Sequence, residues 1–121
     1  MNSRLLEDIL RELSNNTPDI TAAAIISSDG LPIASLLQND ANEDRVGGMS
    51  AALLALGQRA TQELSCGNMM QTTIQGDDGY IQLVQATEDL VLVLTAKPDA
   101  KLGMILFSAR QAAKNIKALG Y

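Results

Sequence analysis

The residue types that carry out most protein chemistry form no recognisable catalytic arrangement in this sequence. The 121 residues include no histidine, which removes the usual general base and the commonest metal ligand. The single cysteine, Cys66, has no histidine to activate it and no partner for an internal disulfide, so we expect a structural role. Turn chemistry explains the acidic pairs Asp77-Asp78 and Glu88-Asp89 better than metal binding does. No phosphate-binding G-x-x-x-x-G-K-S/T loop occurs. The sequence therefore predicts no catalytic residues, no metal site and no cofactor.

Two arginines on a long predicted helix are the remaining charged candidates. Arg45 and Arg59 lie near each other around the helix axis, because each residue advances about 100°. Either could in principle reach a partner's phosphates. A solvated helix flank, with an ion pair between Arg59 and Glu63, is the competing interpretation and the simpler one. We retain the two arginines as speculative partner contacts.

The element that must position any interaction site is a proline-free helix predicted from Asn42 to Ser65. Bulky apolar residues recur along one stripe, which we expect to pack on the protein's own sheet. This predicted core stripe consists of Val46, Met49, Leu53, Leu56, Ala60 and Leu64. The opposite side is small rather than charged, with Gly47, Gly48, Ala51 and Ala55, flanked by Leu54. Such a small-residue seam predicts the close approach of a second helix. The alternative is that the glycines only loosen the helix start while the alanines favour helix.

The flanking segments predict an α+β domain in the order α-β-β-α-β-β-β-α. Asp29-Gly30 is a hairpin turn, and Pro32, which lacks a backbone donor, favours an edge position for the second strand. The third strand alternates in polarity and is half-exposed, which indicates another edge, whereas the fifth is apolar on both faces and central. We predict a polar loop at 38–41. The expected helices are 3–14, 42–65 and 100–118, and the expected strands are 20–27, 31–37, 69–75, 80–86 and 90–96.

These elements predict one domain, residues 1–121, built on a five-stranded antiparallel sheet with helices on both faces. Helices must cover both faces because two strands are apolar on both sides. The first and last helices are expected to share one face, and the central helix to take the other. Hydrophobic residues make up 46% of the chain, so the domain is large and apolar enough to bury a core.

The charge distribution limits the classes of partner. The formal net charge is −5, and no basic stripe carries interleaved aromatic residues, so nucleic acid is not an expected partner. Thirteen of the 14 acidic residues precede Lys97, whereas five of the nine basic residues lie from Lys97 onward. The last helix is therefore basic, with Arg110, Lys114 and Lys117 on its solvent-exposed side. No signal peptide or membrane-spanning pattern is visible, and we expect a cytoplasmic protein without membrane insertion.

Four stretches, taken together in this order and spacing, resemble the roadblock / dynein light chain family, which has longin- and profilin-like folds. They are AAIISSDGLPIAS from Ala23 to Ser35, RVGGMSAALLALG from Arg45 to Gly57, GDDGYIQL from Gly76 to Leu83 and KLGMILFSARQAA from Lys101 to Ala113. Each stretch alone would be weak evidence for the family. Because the chain is compact, it resembles the bacterial branch whose members act with small GTPases.

The resemblance implies a non-enzymatic homodimer formed through the central helix and the third strand. The candidate interface residues are Gly47, Gly48, Ala51, Leu54, Ala55, Gln58, Gln71 and Thr73. The resemblance also implies an adaptor that binds a small Ras-like GTPase and modulates its nucleotide cycle, at most as a regulating or activating partner without its own active site. The alternative is a purely structural scaffold subunit of a multiprotein complex. A small-molecule sensor is a third class, disfavoured because no polar cluster converges in the apolar strands.

Overall fold

The computed structural model describes residues 3–37 and 41–121, and its elements follow the predicted order. The helices are α1 (Ser3–Asn16), α2 (Glu43–Glu63) and α3 (Leu102–Ala118). The strands are β1 (Ile20–Ser27), β2 (Pro32–Leu36), β3 (Gln71–Gly76), β4 (Gly79–Gln85) and β5 (Leu90–Ala96). The predicted loop at 38–41 lies outside the described residues except for Ala41.

The strands form one antiparallel sheet in the order β2-β1-β5-β4-β3. β5 lies at its centre, as the uninterrupted apolar run of that strand predicts, and six of its seven residues are buried. β2 and β3 are the two edges, which confirms both edge predictions. Pro32 begins β2, where its missing N–H faces no further strand.

Each face of the sheet carries its own core. The larger core lies under α1 and α3 and includes Leu6, Leu10, Ile105, Ile116 and Leu92. The smaller core lies under α2, and its buried members are Ala24, Ile26, Leu54, Met69, Leu83, Val91 and Val93. The two outer helices therefore share one face and the central helix takes the other, as predicted.

The face that α2 turns towards the sheet differs from the prediction. Most of the predicted core stripe points away from the sheet, and its bulkiest members expose more than half of their surface. The exposed fractions are 55% for Met49, 65% for Leu56 and 75% for Leu64, and Ala60 is exposed as well. Only Val46 and Leu53 are partly buried against the smaller core. The prediction that this stripe packs on the sheet was therefore wrong for four of its six members.

The face of α2 that packs on the sheet includes part of the small side, because the β1–β2 turn approaches the start of the helix too closely for larger residues. Gly47, Ser50 and Leu54 are its buried members. A methyl group built on Gly47 would overlap the carbonyl oxygen of Gly30, so two backbones are in direct contact there. Gly30 itself has φ +90°, a conformation that favours glycine. The seam at this end of the helix is thus used within the subunit.

The two ends of α2 have different caps. Asn42 caps the start, because its side-chain oxygen accepts a hydrogen bond from the backbone N–H of Arg45 at 3.1 Å. The helix ends at Glu63, and both Ser65, at φ 62°, and Gly67, at φ 84°, have positive φ just beyond it. The Cys66 side chain that follows is exposed. It packs in no core, but its thiol donates to the backbone carbonyl of Leu64 at 3.6 Å, and the structural role stays a prediction.

Candidate protein–protein interface

The outward surface of α2 carries an apolar row that no part of the described chain covers. Met49, Ala52, Leu56 and Ala60 lie along one side of the helix at spacings of three and four residues, and we call them the outer row. Each is exposed, and the two large members expose 55% and 65% of their surface. Exposed apolar stripes of this kind often belong to interaction surfaces in proteins, and methionine is common at such surfaces.

The residues predicted from the small seam divide between the inside and the outside of the subunit. Gly47 and Leu54 are buried, and Ala51 is half-buried against the Gly30 turn. Gly48 and Ala55 are exposed, and a methyl group built on Gly48 would meet nothing within 4 Å. The prediction that the whole seam faces outward is therefore corrected. Only its two exposed members, Gly48 and Ala55, border the outer row.

An open cleft beside α2 gathers several of the seam residues. It has a volume of about 530 Å³, and its lining includes Ala51, Leu54, Ala55 and Gln58. Gln58 also ties the helix to the segment before β3, since its side-chain oxygen accepts from the backbone N–H of Met69 at 2.9 Å. On the same face of the sheet, Ile81 of β4 remains 36% exposed. The apolar surface around α2 thus continues from the helix onto the sheet.

The two β3 residues predicted for the interface lie at the free edge of the sheet and point towards the α3 face. Gln71 is half-buried, and its side-chain oxygen accepts two hydrogen bonds from Arg110, at 3.0 and 2.8 Å. Thr73 is exposed, and its hydroxyl donates to the side-chain oxygen of the buried Gln82. The backbone groups on the outer side of an edge strand have no partner strand, so β3 is able to pair with another chain.

Arg45 and Arg59 flank the outer row and are both exposed. Arg59 forms an ion pair with Glu63 at 3.0 Å, as the solvated-flank interpretation predicts. The side chains of this pair are 76% and 66% exposed, so the pair contributes little to stability. Both arginines are available to a partner that covers α2.

Sequence reasoning missed Met49, Ala52, Leu56 and Ala60 as surface residues because it assigned three of them to the core. The helix has two apolar stripes, and the sequence reasoning assigned the stripe with the larger side chains to the core. The signal that decides between them is the pair Gly30 and Gly47, which come together only in the fold.

Among residues 3–37 and 41–121, no group of three or more Cys, Asp or Glu side chains is arranged to hold a metal ion. None of the helices in these ranges is long and apolar enough to span a membrane.

Comparison with known proteins identifies similar sequences and folds. A family model described as the Roadblock/LC7 domain matches residues 6–96. An uncharacterized protein of Methanocaldococcus jannaschii is 36% identical over 117 residues, which cover 95% of this chain and 99% of the relative. Because the relative is uncharacterized, it carries no partner or activity over to this chain.

Three solved structures extend the comparison. A Roadblock/LC7 domain from Streptomyces avermitilis superposes with TM-score 0.86 at 18% identity and covers 93% of this chain and 95% of that one. The gliding protein MglB from Thermus thermophilus superposes with TM-score 0.86 at 19% identity, with coverages of 96% and 88%. Profilin II of Acanthamoeba castellanii has TM-score 0.67 at 18% identity, with coverages of 96% and 99%. At these identities, the solved structures establish a shared fold.

Proposed function

This chain belongs to the Roadblock/LC7 domain family, and from that premise we propose that it is a homodimeric adaptor for a small Ras-like GTPase. In this proposal two copies join through α2 and β3, and the dimer binds the GTPase and modulates its nucleotide cycle. The family is generally non-enzymatic, and we propose that this member likewise contributes no active site of its own. The proposal places the protein in the cytoplasm, where such a GTPase acts.

The observation that carries the dimer is the outer row of α2. Leu56 and Met49 expose a large apolar surface at the middle and start of the longest helix. Removing such a surface from water contributes about 25 cal/mol for each Å², from which the entropic cost of association is subtracted. A second copy of the same helix supplies a matching apolar surface, because a twofold contact brings the same patch of both subunits together.

The free edge of β3 supports the same arrangement. An edge strand that pairs with its own copy across a twofold axis extends the sheet from five strands to ten. That pairing satisfies backbone groups that otherwise face solvent. Within each subunit, β3 and α2 are linked through Met69, whose backbone N–H donates to Gln58 and whose sulfur accepts from Thr72.

Support for the GTPase comes from the family resemblance and from the exposed arginines beside the outer row. A dimer that binds one nucleotide state of a GTPase more tightly than the other shifts the population towards that state. Binding of this kind changes nucleotide turnover without any catalytic group on the adaptor.

The test uses the full chain and the Ras-like GTPases of the same organism, loaded with GDP or with a GTP analogue. We expect co-elution in one nucleotide state and an altered rate of GTP hydrolysis or nucleotide exchange. Arg45→Ala with Arg59→Ala should weaken the complex, whereas Arg11→Ala on α1 should leave it unchanged. Failure to bind any such GTPase in either state would reject the proposal. Binding without an effect on hydrolysis or exchange would identify the protein as a structural scaffold subunit.

A further inference from the structure

One cavity on the α3 side of the sheet carries positive charge only. It has a volume of about 380 Å³ and opens between α3 and the start of β3. Its charged lining residues are Arg110, Lys114 and Lys117, and no acidic residue lines it. All three are exposed, and none forms a salt bridge with another described residue. The cavity floor is apolar, with Met70, Val84, Ala86 and Ala113.

The arginine of this cavity is held at the free edge of the sheet. Its guanidinium donates from Nε and from one terminal nitrogen to the side-chain oxygen of Gln71, at 3.0 and 2.8 Å. Gln71 is the first residue of β3 and a neutral acceptor. The positive charge of Arg110 is therefore fixed in place, and no carboxylate of the described residues forms a salt bridge with it.

The opposite charge lies at the other end of the same strand. Asp77 and Asp78 form the two-residue turn between β3 and β4, are exposed, and form no salt bridge within the described part of the chain. β3 has six residues, and a strand rises about 3.4 Å per residue. The turn is thus roughly 20 Å from the start of the strand, too far for Arg110 of the same copy to reach.

Antiparallel pairing of β3 with the β3 of a second copy brings these charges together. In such a pair, the start of one strand lies opposite the end of the other. If the α2 helices of both copies lie on the same face of the joined sheet, the twofold axis is perpendicular to that sheet. The side chains of two residues that lie opposite each other on the paired β3 strands then point to the same face. With Ile74 on the axis, Gln71 then lies opposite residue 77 of the second copy. The acidic turn of that copy comes next to Gln71 and Arg110.

We propose that the Asp77-Asp78 turn of a second copy occupies the mouth of the basic cavity and pairs with Arg110 and Lys114. The symmetry of the dimer creates two such junctions, one at each end of the paired strands. This inference rests on the proposed dimer through β3 and deepens it, because it names the residues that fix the strand register. A slip of two residues moves each turn by about 7 Å and separates the charges.

Charge reversal tests the proposal through the dimer dissociation constant, measured by sedimentation across a dilution series. Asp77→Lys with Asp78→Lys should weaken the dimer about tenfold, because like charges meet at both junctions. Arg110→Glu with Lys114→Glu should weaken it by a similar factor. The combination of all four substitutions restores opposite charges and should return the dissociation constant to within about threefold of wild type. Recovery in the combined variant also shows that the substitutions leave the fold intact.

The matched control reverses two acidic residues far from β3. Asp8 and Glu12 lie on α1, which packs against β1 and β2, towards the edge of the sheet opposite β3. Asp8→Lys with Glu12→Lys changes the net charge as the turn variant does, and should leave the dissociation constant unchanged. High salt should raise the dissociation constant of the wild-type dimer and bring it closer to that of the Asp77→Lys, Asp78→Lys variant, because salt screens the charges.

The outcomes separate this inference from the dimer itself. A wild-type chain that stays monomeric contradicts both. A wild-type dimer that neither pair of reversals weakens, or that the combined variant fails to restore, overturns the charge junction while the dimer proposal stands. If Arg110→Glu with Lys114→Glu weakens only the binding of another protein, the cavity serves an acidic segment of that protein, and the junction is likewise rejected.

Discussion

Gly47 and Gly48 are neighbours in α2, yet they have different surroundings. A methyl group on Gly47 would overlap the backbone of Gly30, whereas one on Gly48 would meet nothing within 4 Å. Gly47→Ala should therefore reduce the free energy of unfolding by about 2 kcal/mol, because the turn must move away from the helix. Gly48→Ala should raise it by up to about 1 kcal/mol, since alanine favours helix and clashes with nothing. Chemical denaturation of both variants at one protein concentration measures the difference.

Equal stability of the two variants would show that the β1–β2 turn does not contact the start of α2. The burial of Gly47 against the sheet side of the subunit would then lose its main support. This contact also explains why sequence reasoning misread the helix. Gly30 and Gly47 are 17 positions apart, and nothing in the helix pattern alone reveals that a turn leaves room only for glycine.

At the scale of single elements, the start of α2 depends on one side chain. Asn42 accepts the backbone N–H of Arg45 through its side-chain oxygen, and Glu43 and Asp44 follow in the first turn. Asn42→Ala should lower the free energy of unfolding by about 1 kcal/mol, because the capping bond is lost. Gln111→Ala, at an exposed position within α3, should change it little. A cap variant as stable as wild type would mean that tertiary packing alone fixes the start of the helix.

The strands were more predictable than the orientation of the central helix. β1 and β5 have exactly the predicted bounds, because continuous apolar runs between turn residues allow few alternatives. Pro32 and the alternation of β3 were sufficient to predict both edges of the sheet. Helix periodicity defines stripes but does not say which one faces the sheet when both are apolar. The predicted interface residues were therefore only partly placed, with Gly48 and Ala55 outside and Gly47 and Leu54 buried.

At the scale of the whole molecule, the two faces of the sheet present different surfaces. The α2 side is apolar at the outer row, whereas the α3 side carries exposed cations beside the β3 edge. In the proposed dimer, the apolar helix contact supplies most of the stability, and the charged junctions select the register. This division is common at interfaces, where electrostatic complementarity contributes to specificity more than to affinity.

The central claim is that two copies of the chain join through the outer row of α2. The molecular mass in solution tests it most directly. Sedimentation equilibrium should give twice the chain mass for the wild type and the single-chain mass for Met49→Glu with Leu56→Glu. Met104→Glu with Phe107→Glu is the matched control, because those side chains on α3 are 63% and 71% exposed and lie on the other face of the sheet. The control variant should remain a dimer. A monomeric wild type, or a dimer that survives the Met49 and Leu56 substitutions, would contradict the account.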